Sequence, residues 1–422
     1  MTSSETAAAI DVSGVFDVAG YQFKIYTAFQ AIEPKAWQHL QAEVAKVDPS
    51  VQSPFLAWEF LAGLEQTGCV NQPLPTMPNA NGEWVMTDVA QGWQSHHLTV
   101  WHNDVLMAAL PMYIKYHGYG EYVFDHAWAR AYDAHDLAYY PKLISSVPYS
   151  PIAGGRLIAR QADAADFLRQ QLKKWLNASP YSSHHVLFPH EAEANRWCDN
   201  GYFLRTNIQF HWVNQGYATW DDFLSALVQT KRKKIRAERR KVSDAGVSTR
   251  LIQGADTTKT DWDLFYQGYV NTYLAHYSTP YLTREFFRHL HQTMPECLVL
   301  GVAERDGQRL ASTLLLQDAL TSPNLLGRRH LYGRYWAPLI EVPCLHFELC
   351  YYTPLVYAIE HGFTCFEGGA QGEHKVARGF TPHTTYSAHY LQQPEFHRVI
   401  GNAMQQANSI YDQAAISSAY LI

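Results

Sequence analysis

Glu296–Asp318 reads ECLVLGVAERDGQRLASTLLLQD. Two apolar runs flank Asp306-Gly307, a dipeptide suited to the positive backbone angles of a two-residue hairpin turn. It is the strongest turn signal in the chain. An earlier stretch, WHNDVLMAALPMYI at 101–114, repeats the arrangement around His102-Asn103-Asp104. In both, a polar turn precedes an apolar strand that begins in small residues. A similar order surrounds each hairpin: helix, helix, meander, helix, strand. Helical patterning covers 34–47, 54–66, 131–146, 161–177 and 190–199 in the first half, and 220–242, 260–277, 283–293, 345–361 and 393–415 in the second. Strand-like runs lie between them: YQFKIY, GEYVFD, HHVLFPH, FLRTNIQFHWVN, STRLIQG, RRHLYGRYW, FTCFEGG and YSAHYL. The pattern predicts an α/β (mixed α+β) fold of two related domains meeting near 200–210. A single larger fold is the alternative.

The 422 residues are 47% hydrophobic and only 17% charged, which excludes a disordered chain. A net charge of −6 disfavours a bulk nucleic-acid coat. The six cysteines form no CxxC pair, so neither a disulfide framework nor a zinc knuckle is expected. Residues 1–19 read as a disordered lead without a basic or long apolar segment. The longest apolar run, Val105–Ile114, contains Pro111 and is about half the ~20 residues of a membrane span. The expectation is a cytoplasmic protein with at most peripheral membrane contact.

The charge is unevenly spread. KRKKIRAERRK at 231–241 holds eight Lys/Arg and one Glu, a net charge of 8 − 1 = +7. Lys231, Arg232, Lys234, Arg236, Arg239 and Arg240 are the candidate polyanion contacts, a solvated helix being the plain alternative. FEGGAQGEHKVARGFTPH at 366–383 sets Gly368, Gly369 and Gly372 among Glu367, Glu373, His374, Lys375 and Arg378. Glycines let backbone N–H groups approach a phosphate or an oxyanion. Upstream, Arg334, Tyr335 and Trp336 lie in a strand-like run, and His346 and Glu348 follow. Glu348, Glu367, His346 and His374 are the candidate proton acceptors. No HExxH and no third ligand at fixed spacing is present, so no metal is expected. GxSxG and a papain-like cysteine neighbourhood are also absent, which favours direct attack by an amine on an activated acyl group. Tyr149 and Arg156 in a Gly/Pro loop, with His211, Trp212, Tyr335 and Trp336, are the candidate substrate contacts.

The chain resembles the FemAB-like proteins of peptidoglycan biosynthesis or recognition, predicted N-acyltransferases of the acetyltransferase (GNAT) superfamily. The resemblance spans roughly 20–395. It rests on VPYSPIAGGRL at 147–157, NIQFHWVNQGYATWDDFL at 207–224, KRKKIRAERR at 231–240, GRYWA at 333–337, LHFELCYYTPLVYAIEHG at 345–362 and FEGGAQGEHKVARGF at 366–380. It implies two tandem GNAT-like domains, each a mixed central sheet flanked by helices, with a substrate cleft between them. The boundaries would be a lead at 1–19, a first domain at 20–205, a second at 206–395 carrying the basic helix 220–242, and a C-terminal helix and tail at 396–422.

Characterised Fem enzymes transfer amino acids from aminoacyl-tRNA to the side-chain amine of a peptidoglycan precursor. Ordinary acetyltransferases use acyl-CoA, but their Q/RxxGxG/A loop has no clean copy here. The resemblance therefore implies amide formation on a small-molecule or peptidyl amine, with acyl-CoA or aminoacyl-tRNA as co-substrate and no permanently bound cofactor. Arg334, Lys375 and Arg378, with Gly368, Gly369 and Gly372, would hold the donor. Two other readings remain: a non-catalytic peptidoglycan-fragment binding protein, and a polyanion or RNA-binding partner using the basic helix.

Overall fold

The computed structural model describes residues 9–10, 20–71, 76–78, 84–86, 92–319, 327–369 and 372–419. The chain divides into two compact units: Met1–Asn207 with Thr385–Gln413, and Ile208–Thr384 with Ala414–Ile422. Residues 385–395, placed in the second domain by sequence, thus group with the first unit. The cause is a strand: His389 and its neighbours on Thr381–Leu391 pair antiparallel with Ser183–Leu187.

In the first unit, an antiparallel sheet runs in the order Ala9–Ile10, Gln22–Tyr26, His97–His102, Val105–Leu110, Ile158–Ala159. The lead-in is therefore not wholly irregular, since Ala9 and Ile10 pair with Tyr26 and Ile25; the rest of 1–19 lies outside the described residues. Trp93–Ser95, Tyr113–Lys115, Lys142–Ser145 and Ser183–Leu187 follow one another in a second set of strands. Lys142–Ser145 and Ser183–Leu187 are parallel, and helix Ala162–Asn177 lies between them in sequence, as a parallel connection requires. Phe23, Leu98, Val100, Leu110, Leu143 and Val186 meet Leu168 and Leu172 of that helix in one core.

Two expectations fail in this unit. The helix sought at 131–146 ends early, at His126–Asp133, and 142–145 is a strand. Pro141 supplies no N–H to carry a helix onward, and the buried run Lys-Leu-Ile-Ser is short enough for an interior strand. GEYVFD forms no strand, Tyr122 taking a positive φ of 60°.

The interior here is unusually polar. Lys142 Nζ lies 2.8 Å from Glu121 and also contacts Asp125, all three buried. His184 bonds Ser145 at 2.9 Å and Tyr202 at 2.7 Å, while His185 meets Ser183 at 2.8 Å and His389 at 2.7 Å.

In the second unit the strand order is Ser248–Gln253, Leu298–Arg305, Gln308–Gln317, His330–Pro338, Cys365–Glu367, then residues 208–213 of Phe203–Val213. Only His330–Pro338 and Cys365–Glu367 are parallel, and the helical stretch 345–360 connects them. The Asp306-Gly307 hairpin is as the sequence predicts, with φ of 51° and 76° at the two turn residues. Helix Lys259–Ala275 starts at a reciprocal Thr258/Asp261 capping box and lies on strand His330–Pro338. Its Gly268 is required by proximity: an added Cβ would sit 2.5 Å from the Ala337 carbonyl oxygen. Gly268→Ala is expected to lower stability by roughly 1–3 kcal/mol in spite of alanine's better helix propensity. An unchanged denaturation midpoint would refute that close packing.

The basic helix is not continuous with the one before it. Thr219 caps Trp220–Ala226 through a box with Asp222, Leu227 and Val228 are extended, and Gln229–Asp244 follows. Leu227 turns into the core beside Phe223, and Arg232 donates to the freed carbonyls of Ser225 and Leu227. A second interruption divides 345–361 into Leu345–Phe347, a π turn at Glu348–Tyr352, and helix Thr353–Glu360. Pro354 has no N–H for the Cys350 carbonyl, so the regular ladder is broken there. Among the described residues, no helix is long and apolar enough to cross a membrane.

Candidate active site

Strand alternation decides which side chains of the second unit share a face. Cys365 and Glu367 are two apart on one strand. His211 lies opposite Glu367 on one neighbour, and His330 opposite Cys365 on the other. These four therefore line one face of the sheet. Trp212, Leu331 and Phe366 occupy the other and join an apolar core with Phe223, Leu315 and Leu355.

On the polar face, Glu367 accepts from His330 Nδ1 at 3.2 Å and faces His211 Nε2 at 4.0 Å. Its second oxygen, Oε2, has no hydrogen-bond partner. Burial opposes ionisation of Glu367, yet His211, the His330 bond and Arg328 outweigh it and hold the carboxyl at about 2. Burial also takes His211 down to about 4, so its ring is neutral at pH 7. His383, at the exposed rim, stacks on His211 with ring centroids 4.3 Å apart.

A second group forms on the glycine-rich loop. Gly372 and Gly379 take positive φ of 114° and 85° around the 3-10 turn Glu373–Arg378. That turn exposes His374, whose Nε2 lies 3.2 Å from the Tyr351 hydroxyl. His346, Phe347 and Tyr351 pack edge-on or tilted around the same imidazole. Trp336 lies against His346 at 5.2 Å. The π turn contributes Tyr351 to this group, an irregularity of the kind that recurs at functional sites. Burial lowers His374 below the ordinary histidine value, and Arg378 and Lys375 reinforce it. Burial takes His346 down to about 4. Lys375 Nζ reaches back to the Gly369 carbonyl at 2.7 Å, and burial lowers it to about 8.

Several sequence-predicted site residues have other work. Glu348 is buried in a two-point ion pair with Arg239, 3.1 Å at each contact, and accepts from Thr353; it is no free base. Arg378 is fully buried, bidentate to Glu238 at 2.8 and 2.9 Å and stacked 3.4 Å from the Phe347 ring centroid, so its guanidinium is not offered to a phosphate. Tyr335 packs with Tyr269 and Phe287, and Arg334 lies over its ring. Trp212 is core. In the first unit, Tyr149 is buried with its hydroxyl on the Cys69 carbonyl. Arg156 is buried too, donating to the carbonyls of Leu187, Gly154, Gly155 and Ile152.

The basic helix divides the same way. Arg232 and Arg239 serve internal contacts, Arg239 also covering Trp220. Lys231 is half-buried; Lys233, Lys234, Arg236, Arg240 and Lys241 are exposed. Sequence reasoning missed Tyr351, His330, His383 and Glu238. The period-two alternation 330/332, 365/367 and 211/213 carried a signal for His330. None marked Glu238, which lies inside a run of cations.

The chain is similar to several solved structures at low identity. FemX is 10% identical over 86% of this chain and 98% of its own, with a TM-score of 0.46. A tandem GNAT protein from the clavulanic acid biosynthesis pathway is 11% identical over 89% and 99%, with a TM-score of 0.45. L-PGS from Bacillus licheniformis is 12% identical over 74% and 90%, with a TM-score of 0.41. No curated protein matches the chain. The sequence profile of one family matches residues 28–419, nearly the whole length: the chain belongs to the FemAB-like family of peptidoglycan biosynthesis/recognition.

Proposed function

We propose that the second unit transfers an acyl or aminoacyl group to an amine of a peptidoglycan precursor, with His374 as the proton acceptor. The observation that carries this is the exposed His374 imidazole, biased toward its neutral form and held by Tyr351 on a glycine-built turn. Membership of a family of peptidoglycan biosynthesis/recognition supports the choice of acceptor. Burial raises the Tyr351 phenol, so it stays neutral and can accept from Nε2–H of the required tautomer. That tautomer leaves Nδ1 as the acceptor. The amine lone pair attacks the acyl carbonyl, Nδ1 takes the amine proton, and the donor's oxygen or sulfur leaves. Glu367 is less suited, being buried and held at about 2. The donor favoured here is aminoacyl-tRNA, because the exposed cations of the basic helix suit a polyanion better than a single pyrophosphate.

Transfer from aminoacyl-tRNA and from acyl-CoA to a precursor amine, each measured with wild type and His374→Gln, tests this. A loss of about 10²–10⁴-fold in kcat with donor binding retained is expected. Unchanged turnover in the variant removes His374 from the chemistry. Gly372 gives a finer test, since its added Cβ would lie 2.4 Å from His374 Cε1 and 2.8 Å from Nδ1. Gly372→Ala should push the imidazole aside and lower kcat by about 10²-fold. Circular dichroism should stay near wild type, and full activity would show that the ring's placement is immaterial.

A further inference from the structure

We propose that His211, Cys365 and Glu367 form a binding site for one divalent transition metal ion of the zinc type. The proposal is independent of the role given to His374. The ligand atoms of the three residues lie within 4.8 Å of one another, and all three side chains are buried. Ligand atoms around a tetrahedral zinc lie about 3.3–3.8 Å apart, given bonds of about 2.0–2.3 Å, so a closure of about 1 Å brings them to bonding distance.

Three further observations point the same way. Glu367 Oε2 is buried and lacks a hydrogen-bond partner, a costly state for a carboxylate oxygen that a cation would relieve. His330 donates to the other oxygen at 3.2 Å, the kind of outer contact that fixes a ligating carboxylate. His211 Nε2, a nitrogen donor of the kind zinc takes, faces that same unpartnered Oε2 at 4.0 Å.

The local charge also suits a dication. With Cys365 deprotonated by a bound metal, it would join Glu367 and Asp318 as three negative charges. Arg328, paired with Asp318 at 3.5 Å and bonded to Tyr332, provides one positive. An M²⁺ ion brings the set to neutrality. The ligands come from two strands in the order His211…Cys365-x-Glu367, which no contiguous zinc motif describes. His330 and His383 flank the cluster, the first half-buried and the second exposed.

Binding would convert the Cys365 thiol to a thiolate and release its proton. The test uses the full chain, stripped with a chelator and titrated with Co²⁺, then with Zn²⁺ in competition. Expected are one equivalent bound, visible d–d bands with a thiolate-to-cobalt charge-transfer band, and one proton released. Cys365→Ser should remove the charge-transfer band, and the isosteric Glu367→Gln should weaken Zn²⁺ binding by at least tenfold. His330→Gln should weaken it by about 10–100-fold without changing the coordination spectrum. Should Cys365→Ser fail to fold, the wild-type spectrum and Glu367→Gln still decide. Absence of the charge-transfer band in wild type, or Zn²⁺ affinity unchanged in folded Cys365→Ser and Glu367→Gln, overturns the proposal.

Discussion

Lowering the pH from 6.5 to 4.5 is expected to strip several kcal/mol of stability from the first unit. Burial takes His184 down to about 3, and burial with His97 takes His96 to about 4. Burial lowers His185 and His389 as well, helped at His185 by Lys142 and at His389 by His185. Such a histidine is protonated in the unfolded chain near 6.5 but not in the folded one. Stability is therefore complete above pH 6.5 and falls as pH drops toward the folded value. At about 1.36 kcal/mol per pH unit once the unfolded histidine is fully protonated, His184 and His96 each cost about 2 kcal/mol over this range. Burial raises Glu121 to about 7, against the pull of Lys142, so it gains protons in the folded state and offsets about one of the two. His185 and His389 add to what remains. The loss is a large part of the ~5–15 kcal/mol that folded proteins hold. Thermal melts between pH 7 and 4.5, with hydrogen exchange at Ser183–Leu187, measure it; a melting temperature flat across that range contradicts the account.

Glu238→Ala is expected to cost the second unit about 3–5 kcal/mol, the usual penalty for stranding one member of a buried ion pair. Glu238 holds the Arg378 guanidinium with both oxygens and accepts from the Tyr352 hydroxyl. Arg378 in turn donates to the His374 carbonyl at 2.7 Å. One acidic residue among eight cations thus ties the basic helix to the loop that presents His374. Denaturant unfolding reports the loss. Glu238→Ala paired with Arg378→Met should recover part of it, because the second change removes the stranded charge. If the double variant is no more stable than the single one, the pair is not what holds these elements together.

How much was legible in the sequence depends on the range of the cause. The Asp306-Gly307 hairpin and the Thr219 cap are set by neighbouring residues, and both are present. The helices expected at 131–146 and 220–242 are each interrupted, the first giving way to a strand after Pro141 and the second breaking at Leu227-Val228, because apolar content there carries no helical period. At the site, the segment 366–383 was found by its glycines and charges, but its members were not sorted. His211 and Trp212 are adjacent in sequence and end on opposite faces of a strand, one polar and one in the core. Glu348 looks like a proton acceptor and Arg378 like a donor-binding cation until their partners, Arg239 and Glu238, are brought near from more than a hundred residues away. No local pattern contains that distance.

The return of residues 385–413 to the first unit has a consequence for synthesis. A ribosome emits the chain from its N-terminus, so residues 208–384 emerge before the last strand and helix of the first unit exist. Most of the second unit, residues 208–384, can thus begin to fold while the first still lacks the strand that pairs with Ser183–Leu187. Until that strand arrives, Ser183–Leu187 has an open edge, and the polar residues beside His185 lack His389. The unit begun first is therefore completed only after most of the second has emerged, and nascent chains stalled before residue 385 are the ones a chaperone would hold.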